Sequence, residues 1–150
     1  MPEDYGVIRR ATTDDAEAVG LIFLSTRDRM AYLPPIPDED RPKLGRWIVE
    51  RGKVWVSEED RQIVGFLGLQ GDLVGHLYVA PEAQDSGIGS GLLDHAKRLR
   101  PDGLALWVFQ KNMGARRFYE RHGFRLVRLT DGADNMEREP DALYEWRPSP

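Results

Sequence analysis

Hydrophobic positions recur with two different periods along this chain. Val19, Ile22, Phe23 and Met30 repeat at helical spacing behind Thr12, Thr13, Asp14, Asp15 and Glu17. Capping hydroxyls, with acids on the positive end of the dipole, predict a first helix that buries one face. The run Tyr32-Leu33-Pro34-Pro35-Ile36-Pro37 breaks it, and a shorter helix is expected over 38–51, with Leu44, Trp47 and Ile48 inward and Gly52 as its stop. The pattern then changes. Residues 53–57, 63–70 and 73–80 are apolar runs divided by Glu58-Glu59-Asp60-Arg61 and Gly71-Asp72, which predicts a three-stranded antiparallel meander ended by Pro81. After a glycine-rich loop come a helix over 87–99, an apolar buried-type strand over 104–109, a helix over 112–122 stopped by Gly123, and a strand over 124–129. That βαβ rhythm gives an α/β fold with a mixed sheet. Residues 130–141 read as an acidic loop and 143–146 as a last edge strand. No repeat or linker divides residues 1–150, so one domain is expected.

Composition narrows the chemistry. The 150 residues contain no cysteine, which excludes disulfides, a thiolate zinc site and a cysteine nucleophile. The acidic start MPEDYG has no apolar leader segment and no apolar run reaches the roughly 18 residues of a membrane span, so a cytoplasmic protein without a membrane partner is expected. The net charge of −4 conceals a basic sector: residues 95–128 hold nine Lys or Arg against two Asp or Glu, while the rest carries −11. Such a sector is either a solvated face or a seat for a phosphorylated ligand. It lacks the aromatic interleaving or helix-turn-helix pattern of a nucleic-acid partner.

The candidate chemistry centres on the stretch from Leu77-Tyr78-Val79 through Pro81 to Gln84-Asp85-Ser86-Gly87-Ile88-Gly89-Ser90-Gly91. Seven of the 15 glycines lie between Gly65 and Gly91. A strand leads into a loop that opens a helix, where converging backbone N–H groups and the dipole favour an anion. The alternative is a tight turn and nothing more. A dinucleotide fingerprint is disfavoured, because the spacing is G-x-G-x-G and Val108-Phe109-Gln110 supplies no acid. A P-loop is excluded, since no Gly-Lys-Ser/Thr follows. Downstream stands Asn112-Met113-Gly114-Ala115-Arg116-Arg117-Phe118-Tyr119-Glu120-Arg121-His122-Gly123-Phe124.

These two strings together resemble the GNAT superfamily of acyl-CoA-dependent N-acyltransferases. Gln84 to Gly89 follow that family's Q/R-x-x-G-x-G/A motif, and N-x-x-A-x-x-F-Y-E-x-x-G-F resembles its second signature. The sequence departs from the pattern at Asp85 and Ser86, where many members carry Gly and a basic residue. The resemblance covers nearly the whole chain. It implies a GNAT-like fold, with a mixed, mostly antiparallel central sheet flanked by helices and the strand over 104–109 splaying from that over 73–80. It also implies an acetyltransferase in which acetyl-CoA gives its acetyl group directly to a primary amine of a small molecule or peptide. A catalytically silent acyl-CoA-binding module of the same fold is the alternative, and a homodimer is compatible with either.

The resemblance further implies a role for individual residues. The cofactor-binding set is Leu77, Tyr78, Val79, Gln84, Asp85, Ser86, Gly87, Ile88, Gly89, Ser90, Asn112, Ala115 and Arg116, with the backbone of Leu77 and Val79 toward the pantetheine and thioester carbonyl. Tyr119 is the general acid for the departing thiolate, a role suited to a phenol that is protonated at neutral pH. Packing on a helix face is the plain alternative for Tyr119, as an N-cap is for Asn112. Lys111, Arg116 and Arg117 are candidates for the adenosine 3′-phosphate or simply solvated. The base is unassigned among His76, Glu82, Glu58, Asp72 and a water chain. His76, His95 and His122 show no metal-site spacing, and no metal is implied. In this fold the acceptor approaches residues 27–40 and 130–146; the latter carry −5, an acidic rim suited to a cationic amine or to solvent alone. Tyr32, Trp47, Tyr144 and Trp146 either line that pocket or pack the core.

Overall fold

The computed structural model describes residues 7–149, and the acidic start falls outside them. Seven strands form one sheet: β1 (Val7–Arg10), β2 (Lys53–Glu59), β3 (Gln62–Gln70), β4 (Leu73–Val79), β5 (Leu104–Phe109), β6 (Arg125–Leu129) and β7 (Asp141–Trp146). Four helices flank it: α1 (Ala16–Arg27), α2 (Leu44–Arg51), α3 (Ile88–Leu99) and α4 (Met113–Arg121). The strand order is β1-β2-β3-β4-β5-β7-β6, and every pair is antiparallel except β4 with β5. No described helix is long and apolar enough to cross a membrane.

The expected meander is β2 to β4. Asp60 and Arg61 both take positive φ, the two-residue hairpin geometry that matches strand twist, so β2 extends through Glu59 beyond its predicted end at Ser57. Because side chains alternate along a strand, Val54 and Val56 face a core under α1 and α2 with Val19, Ile22, Ile48 and Phe66. Trp55, Leu67 and Leu69 face the opposite core, under α3 and α4, with Ile88, Leu92, Leu93, Leu106, Phe124 and Tyr144.

Three expectations are corrected. The strand over 143–146 is not at an edge: β7 begins at Asp141 and inserts between β5 and β6, burying Tyr144 completely. Asp141 made it read as surface, but its carboxylate accepts from the Thr130 hydroxyl and from Asn135 Nδ2 at 3.1 Å, so the charge is solvated by the protein. Trp47 points outward, with the Arg51 guanidinium 4.5 Å from its ring, because Gly45 and Ile48 form the buried face of α2. Trp107 is exposed on the strand read as wholly buried. Strand β1 was not anticipated. Its sequence, VIRR, has no apolar alternation; pairing to β2 and the Arg9 guanidinium, 2.8 Å from Asp15 and 2.9 Å from Glu58, hold it. Asp15 also accepts from the Thr12 N–H at 2.8 Å, capping the turn that opens α1.

Candidate active site

The parallel pair β4–β5 is joined at one end only. Leu73 registers with Ala105, whose N–H donates to Asp72 O at 3.0 Å, and no register continues toward the C-terminal ends of the two strands. On the other side, β4 pairs with β3 along its length, and the Ala80 N–H donates to Val64 O at 2.8 Å. Backbone groups in an antiparallel strand alternate in direction, so His76 and Tyr78 point theirs at β3. Those of Leu77 and Val79 face the gap toward β5. In agreement, the Val79 carbonyl accepts from Gln84 Nε2 at 3.1 Å and not from the ladder.

The gap opens into a cleft of about 840 Å³, and the glycine loop forms one of its walls. Asp85 (φ 63°) and Gly87 (φ 89°) both adopt the left-handed conformation, which turns the chain into α3 with Gly87 at its N-cap. A Cβ on Gly89 would meet Phe118 and Val79 at 3.4 and 3.6 Å, ordinary contact distances, so the start of α3 lies directly against α4 and β4. Ser90 Oγ lies 3.1 Å from His122 Nε2. On the far wall, Asn112 Oδ1 accepts from the Ala115 N–H at 3.1 Å and caps α4. Tyr119 is buried but lines the cleft, and its hydroxyl has no hydrogen-bond partner among the described residues. Burial, helped by the nearby Tyr78 phenol, holds the Tyr119 hydroxyl far above its ordinary range, and burial pushes Tyr78 up to about 12. Both phenols therefore keep their protons throughout the neutral range.

Of the residues named from sequence, Leu77, Tyr78, Val79, Gln84, Asp85, Gly87, Gly89, Ser90, Asn112, Ala115 and Tyr119 line this one cleft. Three do not. Ile88 is buried in the core, and the Ser86 hydroxyl donates to the Ala83 carbonyl. Arg116 turns to the sheet, where its Nε donates to the Tyr144 hydroxyl at 3.0 Å and a terminal nitrogen donates to Gln110 O at 3.3 Å. Met30, in the lining, belongs to the 27–40 segment expected at the acceptor side, whereas sequence reading missed Trp107, Phe109, Arg121 and His122. Tyr32, Lys111 and Phe109 also line the cleft, with the Tyr32 and Phe109 rings 6.1 Å apart.

None of the side chains weighed as a base lines the cleft. Glu58 is paired with Arg9, and Asp72 is exposed, 4.0 Å from Arg100. His76 packs among Phe23, Phe66 and Tyr78, with ring centroids 5.8 to 5.9 Å away, and burial lowers its pKa to about 4. It is neutral in the folded protein while an unfolded histidine takes up a proton near pH 6.5. Stability is therefore unaffected by this group above that pH and falls as pH drops toward 4, by on the order of 3 kcal/mol. His95 and His122, also lowered chiefly by burial, act in the same direction. Denaturant unfolding of His76→Leu at a series of pH values should give a clearly shallower slope between those limits; an unchanged slope would refute the assignment.

Residues 50–126 match the family model described as the acetyltransferase (GNAT) domain. The chain belongs to the GNAT acetyltransferase family. It is 39% identical over 74 residues to peptidyl-lysine N-acetyltransferase YiaC of Escherichia coli, a match spanning 49% of this chain and 50% of YiaC. The solution structure of apo YjaB from Escherichia coli superposes with a TM-score of 0.76 at 26% identity, covering 93% of this chain and 96% of that one. PaiA N-acetyltransferase from Thermoplasma acidophilum, in complex with coenzyme A, shares the fold with a TM-score of 0.71 at 19% identity, over 95% and 98% of the two chains. The GNAT fold thus accounts for the splayed β4–β5 pair and for a glycine loop beside it. It also accounts for Asp85: a left-handed position is one where glycine is favoured and Asp tolerated.

Proposed function

We propose that this GNAT protein transfers an acetyl group from acetyl-CoA to the side-chain amine of a lysine in a peptide, acting as one domain. The observation that carries the donor half is the pair of outward backbone positions, Leu77 and Val79, facing a cleft walled by the α3 N-terminus. The residues fit acetyl-CoA. Asp85 and Gly87 to Ser90 present backbone N–H groups to a diphosphate, and the splayed strands leave room for a pantetheine arm. The complex of PaiA with coenzyme A supports that reading, and the name of YiaC supports a peptidyl-lysine acceptor.

Bound acetyl-CoA supplies an activated thioester. The protein's part is to hold its carbonyl against backbone N–H of the β4 gap, where fixed donors stabilise growing negative charge on oxygen. A neutral amine attacks that carbonyl carbon, the carbon–sulfur bond breaks, and Tyr119 gives its phenolic proton to the leaving sulfur. A phenol kept protonated by burial suits that step. The proton lost by the amine passes to solvent, and solvent returns a proton to Tyr119, which closes the cycle.

Incubation with acetyl-CoA and a blocked peptide containing one lysine should release thiol and acetylate the peptide on that nitrogen. Saturable acetyl-CoA binding without transfer to any amine in a panel would instead identify an acyl-CoA-binding module. The Asp85 carboxylate opposes the diphosphate in this arrangement. Asp85→Gly removes the charge and the left-handed strain together, so acetyl-CoA should bind about fivefold tighter, less so at high salt. An unchanged affinity in calorimetry would mean that the carboxylate stands clear of the ligand.

A further inference from the structure

Four buried side-chain polar atoms have no hydrogen-bond partner among the described residues: Thr26 Oγ1, Arg27 Nε, His95 Nε2 and Glu139 Oε2. Three of the four gather at the acceptor-side end of the cleft. Thr26 lines the cleft, and Arg27, next in α1, lies 3.4 Å from Glu137. Glu139, in the loop before β7, lies 3.4 Å from the Lys111 ammonium. Tyr32 senses both pairs: burial and the Glu139 charge push its phenol up, and Arg27 opposes them. Buried polar atoms are normally paired, so their concentration at one place is what a seat for a polar group would show.

The backbone that carries Glu139 is tied down by hydrogen bonds while its carboxylate is not hydrogen-bonded. Asn135 brackets the residue, donating from Nδ2 to its carbonyl at 2.7 Å and accepting its N–H at Oδ1 at 3.2 Å. Gly132 passes so close that a Cβ there would lie 2.4 Å from the Glu139 carbonyl. What neutralises the carboxylate is a primary ammonium, that of Lys111, which also lies 5.4 Å from the Tyr32 ring. A carboxylate and an aromatic face are the two groups that best hold an ammonium. The two partners are held unequally, since the Lys111 side chain is 59% exposed and that of Glu139 only 10%. Lys111 and Tyr32 line the cleft and screen Glu139 from it.

We infer that Glu139 is the specificity-determining anchor for the acceptor's ammonium, and that Lys111 is a tethered placeholder which the arriving ammonium displaces. This rests on the reading of the protein as an N-acetyltransferase with a lysine acceptor, and it assigns the group that selects the cation. Exchange of one ammonium for another leaves the charge around the buried carboxylate unchanged, so docking strands no ion. The docked nitrogen then loses its proton to solvent and leaves the carboxylate as the neutral amine that attacks. The donor at Arg27 Nε and the hydroxyl of Thr26 remain for a carbonyl of the flanking peptide.

The test is calorimetric titration of the CoA-loaded protein with a blocked single-lysine peptide and with its norleucine counterpart. The wild type should bind the lysine peptide preferentially. Glu139→Gln should weaken that binding about tenfold and leave the norleucine peptide unaffected, whereas Lys111→Met should strengthen it about threefold. CoA affinity should be the same in all three proteins. A purely structural ion pair makes both substitutions act in one direction or not at all; either result overturns the inference, as does a wild type that fails to prefer lysine. Opposite shifts without acetyl transfer to the bound peptide would support the anchor and remove the transferase reading.

Discussion

Tyr119→Phe is expected to lower turnover about a hundredfold to ten-thousandfold, the span over which a positioned acid contributes, while leaving the affinity for CoA unchanged. The substitution removes one hydroxyl and keeps the ring, which packs edge-on against Phe118 at 5.3 Å and Phe124 at 5.6 Å. That hydroxyl faces the cleft without a hydrogen-bond partner among the described residues, so its loss forfeits no native bond and the thermal midpoint should hold. A packing role predicts the reverse pattern, with activity retained. The raised pKa adds a second readout. An acid that holds its proton well above its ordinary value gives no loss of rate on the alkaline side up to about pH 10, so an alkaline limb below that pH would have to come from another group. Full activity in the phenylalanine variant would remove Tyr119 from the chemistry.

The second large effect falls on stability and lies far from the reacting atoms. Helices α1 and α2 cross where Gly20 meets Gly45, and a Cβ added to Gly45 would lie 1.8 Å from the Ala16 carbonyl oxygen and 2.8 Å from its carbon. No rotamer relieves a clash with backbone, so Gly45→Ala must push the helices apart. The cost is about 3 kcal/mol, at the upper end for overpacked cores, because Val19, Ile22 and Ile48 lose their close packing together. For a chain of this size that lowers the thermal midpoint by about 10 °C. The same displacement moves Thr26 and Arg27 at the end of α1, so the variant that remains folded should show a higher KM for the peptide with CoA affinity little changed. A midpoint within 2 °C of wild type, about the shift a 0.5 kcal/mol change gives, would show that the crossing yields more easily than its geometry implies.

Much of this fold was legible because its patterns are strong. The meander announced itself through short polar turns, the two halves of the cleft through the loop ending in Gly87 and the helix starting at Asn112. What escaped was set by contacts distant in sequence. Strand β1 is held by pairing with β2 and by Arg9, neither visible in four residues. Strand β7 reads as an edge until Thr130 and Asn135 are seen to solvate Asp141. Trp47 looked buried by spacing, but the close crossing at Gly45 leaves no room for it on the inner face.

The site divides in the same way. Backbone-directed residues such as Leu77, Val79 and Gly89 follow from strand alternation and loop geometry, and they lie where expected. Long side chains do not follow: Arg116 left the cleft for the buried Tyr144 hydroxyl, and Lys111, read as a phosphate contact or solvated, found Glu139. A cation on a helix start meets whichever carboxylate the distant loop delivers, and that loop's path depends on Gly132, Asn135 and Asp141 acting together.

The account depends most on the gap between β4 and β5 being the acyl-CoA site. An amide-resolved NMR titration with CoA tests this directly. The N–H signals of Leu77 and Val79, with those of Gly87 to Ser90, should move saturably, while those of His76 and Tyr78, directed at β3, move least. Saturable binding that leaves Leu77, Val79 and the Gly87 loop unmoved, or shifts gathered on another face, would contradict it.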